Sequence, residues 1–518
     1  MTERRRSFCA AFFRGKNMEK QVFQERAAGV LLHISSLPGA YGIGSLGKKA
    51  YEFVDSLVRC GVRYWQVLPL VQTGYGDSPY QSVYSGSGNP YFIDLEQLAQ
   101  EKLLKKSELS FCRYKGGSVD YTWLYQTRYK VLRLAFSRFD IRREEFVSFV
   151  REGRFEGYAL FQALKEKFGG ASFDRWPREY KFAQARALKS FRAENENKVL
   201  FWLFVQFEFF RQWKKLKAYA NERGVYIIGD IPLYVAYDSV DVWLNPRLFK
   251  LNPDLSMKKV AGVPPDYFSE TGQLWGNPVY RWSIHKKENY AWWTERFRQA
   301  FDLYDVVRAD HFRGFDRYYE IDAGEKTAVH GVWKAGPKKE LFEAAEKTLG
   351  KLNLIAEDLG TLDRGVYRLM KETGYPGMKV LEFAFDGNSR NPYLPKNITE
   401  NCVCYTGTHD NDTLYGYIKG LKGEDLRLFC RELSRVLKED GEPPASGRKD
   451  MADAVIRLAL KSRARLAVIP VQDLLRLDSR SRMNVPSTSG ENWKFRLKST
   501  VSDQVLCILK RQPNEKQM

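Results

Sequence analysis

A chain of 518 residues, 44% hydrophobic and 28% charged, has the balance of a soluble globular protein and can bury one large core or two smaller ones. No apolar run approaches the ~20 residues of a membrane span, and seven scattered cysteines, an odd number, make no disulfide framework; buried thiols in a reducing, cytoplasmic compartment are expected. The net charge of +20 raises nucleic acid as a partner. Lys and Arg are spread along the whole length, however, without a helix-turn-helix, zinc-finger or RNA-binding signature, so no specific nucleic-acid partner is expected and the charge reads as a solvated surface.

Residues 1–25 read as a disordered basic extension: Arg4-Arg5-Arg6 is followed by too few apolar residues for a secretory signal, and Met18 offers a downstream start. From Gly29 a rhythm begins, with a β-type run at 29–35, a helical pattern at 48–60 and a second run at 63–70. It then stops for about 150 residues of Gly/Pro-punctuated loop and charged helical sequence, including 122–138 and 199–222, an insertion placed at 80–223. A third run at 225–235 precedes another loop-rich insertion, 236–288. Helices at 290–304, 338–349 and 362–373 then lead into runs at 305–312, 352–359 and 378–385. A run at 402–410, helices at 424–439 and 450–462, and a last run at 465–475 complete the pattern.

Eight β-type runs, most separated by helix, argue for a parallel sheet closed as a (β/α)8 TIM barrel. The competing doubly wound sheet would announce a phosphate loop, and the glycine-rich 39–47 fits neither a G-x-G-x-x-G nor a Walker loop. The expected architecture is therefore α/β: one catalytic barrel domain over 26–518, with a large, mainly helical insertion after the second strand and further loop subdomains.

In such barrels chemistry sits at the C-terminal ends of the strands. The fourth run ends in Asp310, two residues after Arg308 and on the same face of the strand, where the guanidinium favours an ionised carboxylate. Glu357 ends the fifth run, Asp410 follows His409 at the end of the seventh, and Asp230 interrupts the third. Singly, each is more often a helix N-cap, and Asp358 is read as one. Together, beside His and Arg and in a chain with 14% aromatic residues, they are equipment for glycosidic-bond chemistry. No serine elbow or His-Glu-x-x-His zinc motif competes.

Several longer stretches carry a specific likeness: Ser35-Ser36-Leu37-Pro38-Gly39, Gly76-Asp77-Ser78-Pro79-Tyr80-Gln81, Gly229-Asp230-Ile231-Pro232 and Gln273-Leu274-Trp275-Gly276-Asn277-Pro278. Arg308-Ala309-Asp310-His311-Phe312-Arg313-Gly314, Ala356-Glu357-Asp358-Leu359-Gly360, Thr408-His409-Asp410-Asn411, Arg482-Met483-Asn484 and Asn492-Trp493 follow in order. On these the chain, from about Gly29 to Leu497, resembles the 4-α-glucanotransferases of the amylomaltase family, glycoside hydrolase family 77. The resemblance implies Asp310 as nucleophile, Glu357 as acid/base and Asp410 as transition-state stabiliser. His409, Asp230, Arg308, Asn277 and Asn484 would position the sugars. Tyr80 and Trp275, in Gly/Pro-rich loops, would stack on glucose faces, and the 260–275 loop would serve as a flexible lid. No cofactor, nucleotide or metal is required; the implied partners are maltooligosaccharides, amylose or other α-1,4-glucans, with glucose as acceptor, acted on by a monomer or weak dimer. An α-glucan hydrolase on the same barrel, or a glycan- or nucleic-acid-binding protein on an inactive one, are the competing readings.

Overall fold

The computed structural model describes residues 23, 25–74, 76–265, 269–360, 362–488 and 490–510. The expected N-terminal extension thus lies outside the described residues, Phe23 and Glu25 excepted. In chain order the strands are β1 (Ala27–Leu31), β2 (Tyr64–Gln66), β3 (Tyr226–Ile231), β4 (Lys259–Val263), β5 (Gln273–Pro278) and β6 (Val306–Ala309). β7 (Arg317–Asp322), β8 (Val332–Ala335), β9 (Leu354–Ala356), β10 (Gly377–Val380), β11 (Cys402–Tyr405) and β12 (Leu466–Pro470) complete the set. Eight of them run parallel in the order β10-β11-β12-β1-β2-β3-β6-β9. The two ends meet where the Ala356 N–H donates to the Pro376 carbonyl at 2.8 Å. Each of the eight runs read from the sequence supplies one barrel strand. The strands are shorter than the runs because the ladder ends before the polar residues at each C-terminal mouth.

Strand alternation sorts the side chains. Ile228, Val306, Ile355, Met378, Val403 and Leu466 meet inside the barrel, whereas Ile227, Val307, Leu354 and Trp65 face the surrounding helices. Two residues beyond the inward Ile228, Val306 and Ile355 come Asp230, Arg308 and Glu357, so the same alternation delivers a polar layer to the mouth. The register sets Asp230 beside Arg308.

Eight α-helices stand between β2 and β3 among the described residues. The last, Glu196–Glu222, is apolar around most of its circumference and buries Phe201, Phe204, Phe209 and Trp213. An all-round apolar helix must be covered on every side. Here it serves both the insertion and the barrel wall, with Trp213 Nε1 donating to the Leu303 carbonyl at 2.9 Å.

Four features correct the sequence reading. The 260–275 stretch, read as loop, is largely the antiparallel hairpin β4–β5, and the part of the expected lid at 266–268 lies outside the described residues. With β7 and β8, unassigned from sequence, the hairpin forms a second sheet in the order β5-β4-β7-β8. The outer strands β5 and β8 are half-exposed and carry no continuous apolar run, which is the signal a sequence reader needs. Asp358 is no N-cap: buried, it accepts the Met378 N–H at 2.6 Å and pairs with Lys379 at 3.1 Å, bolting β9 to β10. The following helix, Arg364–Thr373, is capped by Asp363 instead. Finally, Cys60 and Cys507 are disulfide-bonded, so these two are not thiols. A separation of 447 residues hides such a pair from spacing arguments; folding joins them by laying the C-terminal turn against helix Lys48–Arg59.

Candidate active site

β3, β6 and β9 are neighbours in the barrel, and Arg308 is the hub of their shared mouth. Its Nη1 lies 2.6 Å from Asp230 Oδ2 and 3.1 Å from Asp310 Oδ1, and its Nη2 lies 3.7 Å from Glu357 Oε2. Burial by itself lowers the guanidinium's pKa, but Asp230 and Asp310 overcome it and hold the cation charged. After Asp310 the chain turns through His311 at φ +48°, a left-handed conformation costly for a non-glycine residue and common at functional sites. That turn aims the His311 N–H at Glu357 Oε2, 2.6 Å away, while Leu359 N–H reaches the other oxygen at 3.2 Å.

The carboxyl groups differ in access: side-chain exposure is 0% for Asp230, 13% for Glu357, 28% for Asp310 and 44% for Asp410. Burial raises Glu357 to about 7, against the pull of Arg308 and with the push of Asp310. Asp230 is likewise raised to about 7 by burial, opposed by Arg308. Burial thus favours the protonated form of both Asp230 and Glu357, and Arg308 pulls each of them back.

Asp410 stands across the mouth, after β11. Asn484 Nδ2 donates to its Oδ1 at 2.6 Å, His409 Nε2 lies 3.4 Å from its Oδ2, and Arg482 binds its backbone carbonyl. His409 is pushed below its usual range by burial, although Asp410 pulls the other way. Its ring stacks on Tyr80 at 5.1 Å and 11°. The Tyr80 hydroxyl in turn donates to Asp230 at 2.8 Å, so one tyrosine links both sides of the mouth. Trp275, on β5, sets its ring edge-on to His311 at 4.8 Å. Asn277 faces inward: its Nδ2 donates to the Val235 carbonyl at 2.9 Å and its Oδ1 accepts from Gln81, next to Tyr80, at 3.2 Å.

The structure thus gathers Asp310, Glu357, Asp230, Arg308 and Tyr80 into one network, and Asp410, His409 and Asn484 into a second joined to it by Tyr80. Asn277 supports the loop carrying Tyr80 without presenting a spare donor. Sequence reasoning missed two acids that obey its own strand-end rule. Glu382, beyond β10, is raised to about 8 by burial, with Asn411 pulling the other way. Asp473, beyond β12, is raised to about 6 by burial while accepting from Thr406 and Leu414. Asp473 braces the loop that bears Asp410, and within that loop Asn411 Oδ1 accepts from Thr408 N–H at 2.9 Å and Thr408 Oγ1 accepts from Asp410 N–H at 3.3 Å.

An eight-stranded parallel barrel with acids from neighbouring strand ends and aromatic rings around them is the architecture of an enzyme that makes and breaks glycosidic bonds. The comparisons narrow the class. The profile of glycoside hydrolase family 77, 4-alpha-glucanotransferase, matches residues 32–502, and the chain belongs to that family. The 4-alpha-glucanotransferase of Clostridium butyricum is 44% identical over 476 residues, covering 91% of this chain and 96% of that protein. That of Thermus thermophilus is 45% identical over 484 residues, covering 91% and 95%. Among solved structures, an amylomaltase from Streptococcus agalactiae in complex with acarbose superposes with a TM-score of 0.88 at 38% identity, covering 94% of this chain and 98% of that one. The activity is accordingly the transfer of a 1,4-α-glucan segment to the 4-hydroxyl of an acceptor glucose or glucan.

Proposed function

We propose that Asp310 and Glu357 carry this transfer by retaining double displacement. An Asp310 oxygen attacks the anomeric carbon of the donor, the C1–O4 bond breaks, and the Glu357 proton passes to the departing oxygen. The acceptor 4-hydroxyl then attacks the glycosyl ester, gives its proton to Glu357, and frees the Asp310 carboxylate. One glycosidic bond is lost and one formed, so no nucleotide or external energy source enters. Such a mechanism needs carboxyl groups ~5–5.5 Å apart, one ionised and one protonated near neutral pH. The observation that carries the assignment is the shared Arg308 guanidinium, which holds Asp310 and Glu357 at one locus while burial keeps Glu357 protonated to about 7.

Asp410, oriented by Asn484 and His409, is suited to the 2- and 3-hydroxyls and to the positive charge of the oxocarbenium-like transition state. Asp230, wholly buried and tied to Arg308 and Tyr80, acts by positioning that pair. Tyr80 and Trp275 form sugar-stacking walls supplied by the two insertions, which the domain reading places at 80–223 and 236–288 of a single catalytic domain. The substrates are maltooligosaccharides, amylose and related α-1,4-glucans, with glucose as acceptor.

Incubation with maltotriose alone tests this reading. A ladder of shorter and longer maltodextrins with constant reducing ends is expected, and Asp310→Asn should abolish it. Full activity in that variant would remove Asp310 from the mechanism, and rising reducing ends without longer products would make the enzyme a hydrolase.

A further inference from the structure

A cavity of about 220 Å³ lies away from the carboxylates, where residues 153–158 of the helical insertion meet helices Val240–Leu244 and Ala291–Leu303. At ~30 Å³ per water it holds roughly seven, the bulk of one sugar ring and not of a chain. Exposed Leu244 and Gly153 stand at its edge, so it opens to solvent.

Its walls leave hydrogen-bonding capacity unspent. Arg154 pairs with Asp302 through Nη1 at 2.8 Å, but its buried Nε and Nη2 have no hydrogen-bond partner among the described residues. Arg296, 4% exposed, gives Nη1 and Nη2 to the backbone carbonyls of Leu233 and Pro232, and its Nε has no partner among the described residues. Buried donors without acceptors are uncommon in folded proteins and call for an explanation. On the acceptor side, Asp241 takes the Ser85 N–H and hydroxyl at 2.8 Å each, and each oxygen keeps a further lone pair. Glu295 is fixed by Arg298 and by Gln299, the latter at 2.8 Å. Tyr84, Tyr158 and Trp292 add aromatic surface.

Charge selects the ligand. Arg154, Arg296 and Arg298 are matched one for one by Asp241, Glu295 and Asp302, so an anion would meet no net attraction. A neutral ring with several hydroxyls can accept from the arginines, donate to the carboxylates and lay its apolar face on the aromatic wall. We propose that this cavity is a second, non-catalytic binding site for a single neutral hexopyranose. It stands behind the strand end that carries Asp230, since Arg296 holds the carbonyls two and three residues further on.

The test is direct and does not depend on the assignment of Asp310 and Glu357, because its readout is binding. Crystals of the full chain soaked in D-glucose should show a pyranose between Arg154 and Trp292. In solution, ¹⁹F relaxation of 2-fluoro-2-deoxyglucose should report a site that Arg154→Met weakens about tenfold, the loss of hydrogen bonds from a charged donor. Leu244→Trp, at the exposed rim, should fill the same space and serves if the Arg154 variant fails to fold. Both variants should keep the wild-type KM for maltotriose. Density confined to the carboxylate groove, or probe binding unchanged in both variants, overturns the proposal. Binding of inorganic phosphate or glucose 6-phosphate there in place of glucose overturns the neutral ligand.

Discussion

Arg308 touches three carboxylates at once, and replacing it with Met would leave Asp230, Asp310 and Glu357 crowded in a buried mouth without their cation. Removing one partner from a buried ionic group costs about 3–5 kcal/mol, so urea denaturation of Arg308→Met should show a loss of that order. Arg308 also opposes the burial that raises Glu357, hence any residual activity should have its basic limb moved to higher pH. In the native enzyme the acid must carry its proton when the donor bond breaks, so kcat/KM should fall as pH rises past about 7. Glu357→Gln should lose about 10²–10⁴-fold in rate, the usual share of general acid–base catalysis, together with that limb. The same group sets a stability slope. Between about 4, where an unfolded glutamate ionises, and about 7, where the folded one does, the native state binds the extra proton. Stability from this group is therefore present at the acid end and declines as pH rises through that window, and Glu357→Gln should flatten this contribution in denaturation curves.

At the scale of elements, the β9–β10 seam hangs on few bonds and Asp358 supplies two of them. Asp358→Ala would strand the buried Met378 N–H and the Lys379 ammonium, costing about 2–4 kcal/mol. Asp358→Asn, which keeps the amide bond but not the charge, should cost less; thermal denaturation of both separates closure of the barrel from catalysis. The β4–β5 hairpin makes a different prediction. Trp275 is half-buried against His311 and Tyr234, so Trp275→Ala should cost only about 1–2 kcal/mol of stability. Loss of one stacking surface should raise KM for maltotriose about threefold to tenfold, and a more open groove should raise reducing-end release in the same assay.

At the scale of the molecule, a net charge of +20 predicts polyanion binding that is non-specific and salt-labile. Retention on heparin should disappear as salt is raised, and glucan transfer should be indifferent to the added polyanion. The barrel was legible because its eight strands alternate with helices and end in chemistry, a pattern that survives in one dimension. Asp310 and Glu357 were legible as strand ends, and Glu382 and Asp473 obey the same rule. The second sheet escaped because β5 and β8 bury only part of one face. Asp358 and Asp363 are the same residue type five positions apart near one helix start, and only the fold separates a strand bolt from an N-cap. The order of elements, the inward alternation of Val306, Arg308 and Asp310, and the acids at the barrel mouth were thus settled by the amino-acid sequence, because periodicity and residue type are local. Which acids share Arg308, how far burial lifts Glu357, that Tyr80 spans Asp230 and His409, and that Cys60 meets Cys507 were decided by tertiary structure, because proximity and desolvation exist only once distant segments have packed.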